Sequence, residues 1–143
     1  MIDPAPSVRL VRNADLAQTV DYAYAAVAEA PVRAIWTAGA CPLDASGATV
    51  AAGDFAGQAR QVMSNLVAAL ESANATLRDV VKTTVYVASS RREDLVAAWD
   101  VVREHMGEHD APSTLLGVAA LGYDDQLVEV EAVAVIIEER LNG

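Results

Sequence analysis

The chain has 143 residues, 53% of them hydrophobic and 21% charged, with a single cysteine. That length suits one domain, 1–143 with residues 1–6 as a loose tail, and the apolar content excludes intrinsic disorder. Twenty acidic against ten basic residues leave a formal charge of −10, with Lys82 the sole lysine. A nucleic-acid partner is excluded on that ground, since a phosphate backbone is bound mainly by Lys and Arg.

In chain order, Ser7–Arg12 alternates apolar and polar residues and reads as a short strand. Tyr22–Val27 and Arg33–Ala38 read as two more, with Pro31 marking the turn between them. Residues 39–53 are turn-rich. From Asp54, a plausible N-cap, apolar residues recur at helical spacing: Phe55, Ala59, Val62, Met63, Leu66, Leu70 and Ala73. Asn74 suits the left-handed position after that helix. Val80–Val87 is rich in β-branched residues and reads as a buried strand. Ser90-Arg-Arg-Glu93 has the form of a capping box and opens a second helix carrying Leu95, Ala98, Trp99, Val102 and Met106. Strands at Thr114–Val118 and Leu127–Ile137 close the chain, joined through a Gly122–Asp125 turn. The order β-β-β-α-β-α-β-β predicts an α+β fold, a mixed sheet with two α-helices on one face. With 29 alanines and seven aromatics, the core should be tightly packed from small side chains.

Helices cover one face of such a sheet and leave the other open. Leu127–Ile137 is apolar at nearly every position, so both of its faces call for burial, and a neighbouring subunit is the expected cover. No apolar run approaches the ~18 residues that cross a bilayer, so no membrane partner is expected. The opening MIDPAPSVRLVRNAD lacks the basic-then-apolar layout of a signal peptide, and Cys41 has no internal disulfide partner. A cytoplasmic protein is the expectation.

Residue chemistry offers several candidates. Glu129 and Glu131 are two apart on a strand and point to the same face among valines, where partial desolvation suits an acid for general acid–base work. Solvent exposure, or pairing with an arginine across an interface, is the plain alternative. Tyr22 and Tyr24 likewise share a face, and packing is the plain reading of both. Cys41 has no histidine near it in sequence to form a thiolate and is expected to be inert. His105 and His109 are spaced i, i+4 without a third ligand or an H-E-x-x-H pattern, so no metal is expected; nothing calls for a cofactor. Asp124-Asp125 reads as a solvated turn.

The stretch GDFAGQARQVMSNLVAALESANATLRDVVKTTVYVA, residues 53–88, resembles the RidA/YjgF family (reactive-intermediate deaminases, formerly endoribonuclease L-PSP) in Gln58, Asn65, Leu70, the Asp79-Val-Val-Lys82 run and Thr84-Val-Tyr86. The closing VEVEAVAV, residues 128–135, matches as well, and the resemblance spans about residues 20–137. It implies a trimeric chorismate-mutase-like fold, a homotrimer with ligand clefts between subunits, and hydrolysis of imines or enamines released by PLP enzymes to a keto acid and ammonia. It places a pocket tyrosine at Tyr22 and a water-positioning glutamate at Glu129. The arginine that grips the substrate carboxylate in the family falls on Ser113, an asparagine on Trp99, a serine on Ala38 with Ala40 in place of the following glutamine, and a cysteine on Leu115.

These replacements make the implied pocket more apolar and remove its anion clamp. Losing one charge-assisted hydrogen bond costs roughly 1.5–3 kcal/mol, so standard activity on imino acids should be weak; Arg33 is a candidate substitute cation. Two functions follow: a deaminase-like small-molecule hydrolase with Glu129 orienting water and Tyr22, Trp99, Ser113, Ala38 and Leu115 binding substrate, or a non-catalytic trimer that binds a metabolite.

Overall fold

The structure, a computed structural model, describes residues 8–29 and 31–137. The expected tail at 1–6 and the first residue of the expected Ser7–Arg12 strand lie outside the described residues. The elements are β1 (Arg9–Val11), β2 (Ala25–Val27), β3 (Val32–Trp36), α1 (Phe55–Ser72), a 3-10 turn (Leu77–Asp79), β4 (Val80–Val87), α2 (Arg92–Met106), β5 (Ser113–Gly117) and β6 (Val128–Ile137). The expected order therefore stands, with the 3-10 turn added and the first strands shortened. Periodicity located α1 and β4, whose apolar patterns are long. Three-residue strands carry too few alternations to show their ends.

The main sheet runs β3-β6-β4-β5, and β6 is antiparallel to both of its neighbours. β5 lies parallel to β4, which requires a crossover, and α2 supplies it. β1 and β2 do not join this sheet; they pair with each other as a separate two-stranded ribbon. Both helices pack on one face of the main sheet, as α1 meets β6 while α2 meets β4 and β5.

Local chemistry sets the ends of α1. Asp54 accepts the Gly57 N–H at 2.9 Å, satisfying one of the orphan donors of the first turn. Asn74, at φ 62°, follows the helix in the left-handed region, and Ala75 N–H returns to the Leu70 carbonyl at 2.9 Å. Together with the Asn74-to-Glu71 bond, this is a Schellman ending. The expected box at Ser90–Glu93 does not form. α2 starts one residue later than that box requires, with Arg91 at the N-cap and no side-chain cap. Ser89 takes over, accepting the Arg91 N–H at 3.0 Å and donating to Asp94 at 2.7 Å.

Alternation along β6 divides the molecule. Val128, Val130, Ala132, Ala134 and Ile136 face the helices and are buried against Val62, Met63, Leu66 and Leu70 of α1. Glu129, Glu131, Val133 and Ile137 point to the other face and are only partly buried. That open face also carries Trp36, 73% exposed, and Leu116, 42% exposed.

Candidate functional site

β6 presents Glu129 on the open face, opposite Tyr86 of β4. Next to it, the chain leaving β3 makes a bulge. Thr37 pairs with Ala132 and Ala40 bridges to Val130, so Ala38 and Gly39 together oppose Glu131 alone. The bulge brings Gly39 under the Glu129 side chain, where a Cβ would lie 2.5 Å from Oε2. A side chain at position 39 is therefore incompatible with this carboxylate position.

The other carboxylate oxygen is engaged. Cys41 Sγ donates to Glu129 Oε1 at 3.1 Å, and Gln126 Nε2 donates to the same oxygen at 3.2 Å. Burial pushes the Cys41 thiol up to about 11, helped by the hydrogen bond to Glu129 and by its charge. The thiol therefore stays protonated at neutral pH and acts as a donor. Its expected inertness as a nucleophile agrees with that environment. Glu131, next on the same face, accepts from Tyr86 Oη at 2.7 Å, which raises the Tyr86 phenol above its usual range. Lys82 Nζ donates to Thr114 Oγ1 at 2.6 Å. Trp36, Thr37, Lys82, Thr84, Glu131 and Val133 line a shallow cavity of about 160 Å³ there.

Two polar side chains of α1 brace this arrangement. Gln58, fully buried, donates to the Asp125 carbonyl at 2.7 Å and accepts the Leu127 N–H at 2.7 Å, holding the turn that carries Gln126. Asn65 donates to the carbonyls of Cys41 and Leu43 at 2.8 and 2.9 Å, holding the loop that carries Cys41. A buried polar group costs free energy unless it is hydrogen-bonded, so the Gln58 amide is committed to its turn, while the half-buried Asn65 directs both amide hydrogens to its loop.

Trp99 and Ser113 lie elsewhere, on the helix side of β5. With Asp21, Thr83, Arg103, Met106 and His109 they surround a void of only about 10 Å³, room for one water at most. The indole Nε1 points at both oxygens of Asp21, at 3.2 and 3.1 Å, and Arg103 Nε meets Asp21 Oδ2 at 2.9 Å. Ser113 hydrogen-bonds Thr83 across the β4–β5 pairing. Tyr22 stands between Asp21 and Ala23, whose N–H bonds the Asp110 carbonyl, and stacks edge-on against Tyr24 with centroids 5.9 Å apart. Leu115 packs on the core opposite Val85.

Within one chain, then, the six candidates fall into two groups. Glu129 lies on the open face, with Ala38 in the neighbouring bulge beside Gly39, while Trp99, Ser113 and Leu115 lie across the sheet from Glu129, with Tyr22 beside that second group. Within the same chain Arg33 sits on β3, at the sheet edge opposite to β5 and Ser113. His105 and His109 bond separate carbonyls, of Val101 and Val80. Three residues were missed by reading the sequence. Gln126 stands three places before Glu129, Asp21 beside Tyr22, and Arg103 one turn after Trp99. The last spacing was a usable signal; the first two were not, because the loops that place them have no periodicity. Among the described residues no helix is long and apolar enough to cross a membrane.

The profile of the family described as Endoribonuclease L-PSP matches residues 13–136. A RutC family protein of Pyrococcus horikoshii is 35% identical over 100 residues, 70% of this chain and 77% of that protein. One from Synechocystis is 34% identical over 103 residues, 71% and 78% of the two chains. Among solved structures, the Rid family protein YyfB of Yersinia pestis is similar with a TM-score of 0.82 and 28% identity, over 91% of this chain and 99% of that one. E. coli TdcF, solved with bound serine, is similar with a TM-score of 0.63 and 28% identity, over 72% and 80%. With two helices on a mixed sheet, an α1 brace built from the Gln58 and Asn65 of the sequence signature, and these likenesses, the chain belongs to the RidA/YjgF (endoribonuclease L-PSP) family.

Proposed function

We propose that the chain is a homotrimeric, deaminase-like small-molecule hydrolase acting on an imine, enamine or related C–N compound in a cleft between subunits. The observation that carries this reading is the Glu129 carboxylate, partly buried on an uncovered sheet face with one oxygen held and the other over Gly39. In the reaction, the carboxylate orients a water and accepts one of its protons as the water oxygen bonds to the carbon of the protonated imine, giving a neutral carbinolamine. That proton then passes to nitrogen, the carboxylate takes the hydroxyl proton as the C–N bond breaks, ammonia leaves and a carbonyl compound remains. A single chain separates Glu129 from Trp99, Ser113 and Tyr22, so the cleft would combine the open face of one subunit with the β5 side of its neighbour. The serine held by the similar TdcF supports a small metabolite as ligand.

A formal charge of −10 per chain argues against an RNA substrate, despite the family description. A lone, unpaired Cys41 fits a reducing cytoplasm. The second reading is a trimer that binds a metabolite without turnover. It is favoured by Ser113 in place of a cation and by Trp99 and Asp21 filling the space beside it.

The test is competition between hydrolysis and trapping. Benzaldimine made in situ by an amine oxidase, and the imino acid made from leucine by an amino-acid oxidase, are each offered with semicarbazide. The protein should suppress semicarbazone formation from benzaldimine more than from the imino acid, and Glu129→Ala should abolish the effect. No acceleration with either imine, together with saturable binding, would establish the binding-module reading instead.

A further inference from the structure

We propose that Cys41 and Gln126 are positioning residues for Glu129, holding one carboxylate oxygen so that Oε2 alone is presented to a reacting molecule. The proposal rests on the hydrolase reading and deepens it.

A glutamate carboxylate turns freely about its last torsion, whose wells are broad and two-fold. Here that freedom is removed asymmetrically. Both donors, Cys41 Sγ and Gln126 Nε2, converge on Oε1 at 3.1 and 3.2 Å. Oε2 is left beside Gly39, the one residue type with no atom to collide with it. Neither donor is a loose surface group. Gln126 is 4% exposed, its own oxygen accepts the Tyr123 N–H at 3.1 Å, and its amide also reaches the Val128 carbonyl. Cys41 is held through its carbonyl by Asn65, and the turn of Gln126 is held by Gln58. Two loops far apart in sequence are thus pinned by one helix so that their donors meet on one oxygen.

The chemistry of the donors suits this role. A cation in their place would form an ion pair with the carboxylate and weaken it as a base, whereas a thiol and an amide orient it and leave its charge available. The other ionisable groups on this face, among the described residues, are Glu131 on the same strand, Tyr86, opposite Glu129 on β4 and bonded to Glu131, and Lys82, whose ammonium donates to Thr114. None of them donates to Glu129. The thiol keeps its proton at neutral pH because burial and the adjacent carboxylate both favour the neutral form.

Two measurements on the assembled protein separate this proposal from the reading it rests on. The first ignores turnover. Iodoacetamide alkylation of Cys41 followed against pH should show a midpoint near 11 in the parent protein and a clearly lower one in Glu129→Gln. An unchanged midpoint would overturn the clamp. The second is the benzaldimine assay. Cys41→Ala and Gln126→Leu should each lower kcat about tenfold with KM within about twofold, and Cys41→Ser, which keeps a donor, should recover most of the loss. Should Gln126→Leu fail to fold, the Cys41→Ala and Cys41→Ser pair decides the matter alone. Full kcat in Cys41→Ala while Glu129→Ala is inactive would overturn the positioning role and leave the hydrolase reading standing. Full activity in Glu129→Ala would overturn Glu129 as the base, and the positioning role with it, whatever the alkylation profile shows. No acceleration by the parent protein would instead overturn the hydrolase reading.

Discussion

The two faces of the four-stranded sheet are built from the same strands by opposite rules. On the helix face, β6 sets Val130, Ala132 and Ala134 against Leu66 and Leu70 with almost no exposed surface. On the open face, one residue along, it sets Glu129 and Glu131 beside Tyr86, Lys82 and the largely exposed Trp36. One face contributes stability through packing. The other carries the polar cluster of the proposed function, together with the exposed Trp36 and Leu116. The comparison teaches that alternation along a single strand, β6, builds both a dry apolar face and a polar open one.

Core truncation tests the packed face most strongly. Leu66→Ala should cost about 2–5 kcal/mol in urea unfolding at fixed protein concentration, because a fully buried leucine leaves a cavity. A cost under about 1 kcal/mol would show that the helix face is less tightly packed than its burial indicates.

The open face is tested by assembly. Light scattering should report about three times the 15.0 kDa chain mass. Trp36→Glu should shift the protein towards single chains with its far-UV circular dichroism retained, since it places a charge on the rim that a partner would cover. A parent protein of single-chain mass would sink the trimer.

Ser113→Arg probes the side away from Glu129. A guanidinium forced beside Trp99, where about 10 Å³ is free, should cost about 1–3 kcal/mol of stability by overpacking. Full stability would mean that Trp99 swings aside, and leucine-derived imino acid should then become a better substrate.

Ligand preference gives a smaller effect. Aromatic or amide compounds should raise the melting temperature by about a few degrees at saturating concentration, more than dicarboxylates do, and Glu129→Ala should reduce the gain. Dicarboxylates that stabilise equally well in Glu129→Ala would reveal a cation in the cleft.

The smallest effect is alkaline. The Cys41 thiol titrates near 11 in the fold against about 9 for an ordinary thiol, so between those values the unfolded chain loses its proton first. Its contribution is fully present below about pH 9 and is lost as pH rises towards 11. Cys41→Ser, which does not titrate there, should show a flatter stability profile over that window.

How far the sequence was legible differs by region. α1 and β4 could be read to within a residue, because eighteen and eight residues of regular pattern outweigh local noise. The capping box at Ser90 was misread because a one-residue shift of the helix start moves the pairing acid from Glu93 to Asp94. At the candidate site, the apolar strand offered Glu129 and Glu131 alike, and the family resemblance singled out Glu129. Gln126 and Cys41 were not visible as its partners, since nothing local to a loop tells where its side chains end.

What the sequence by itself determined is therefore the periodic part, the element order and the helix face of β6, together with the acid at 129 on the other face and the net charge of −10. Only the tertiary structure decided which donors meet that acid. Cys41 lies 88 residues from Glu129 along the chain, and their hydrogen bond exists because Gln58 and Asn65 on one helix anchor both loops. Local propensity acts over a few residues, whereas convergence of this kind depends on packing that no short window contains.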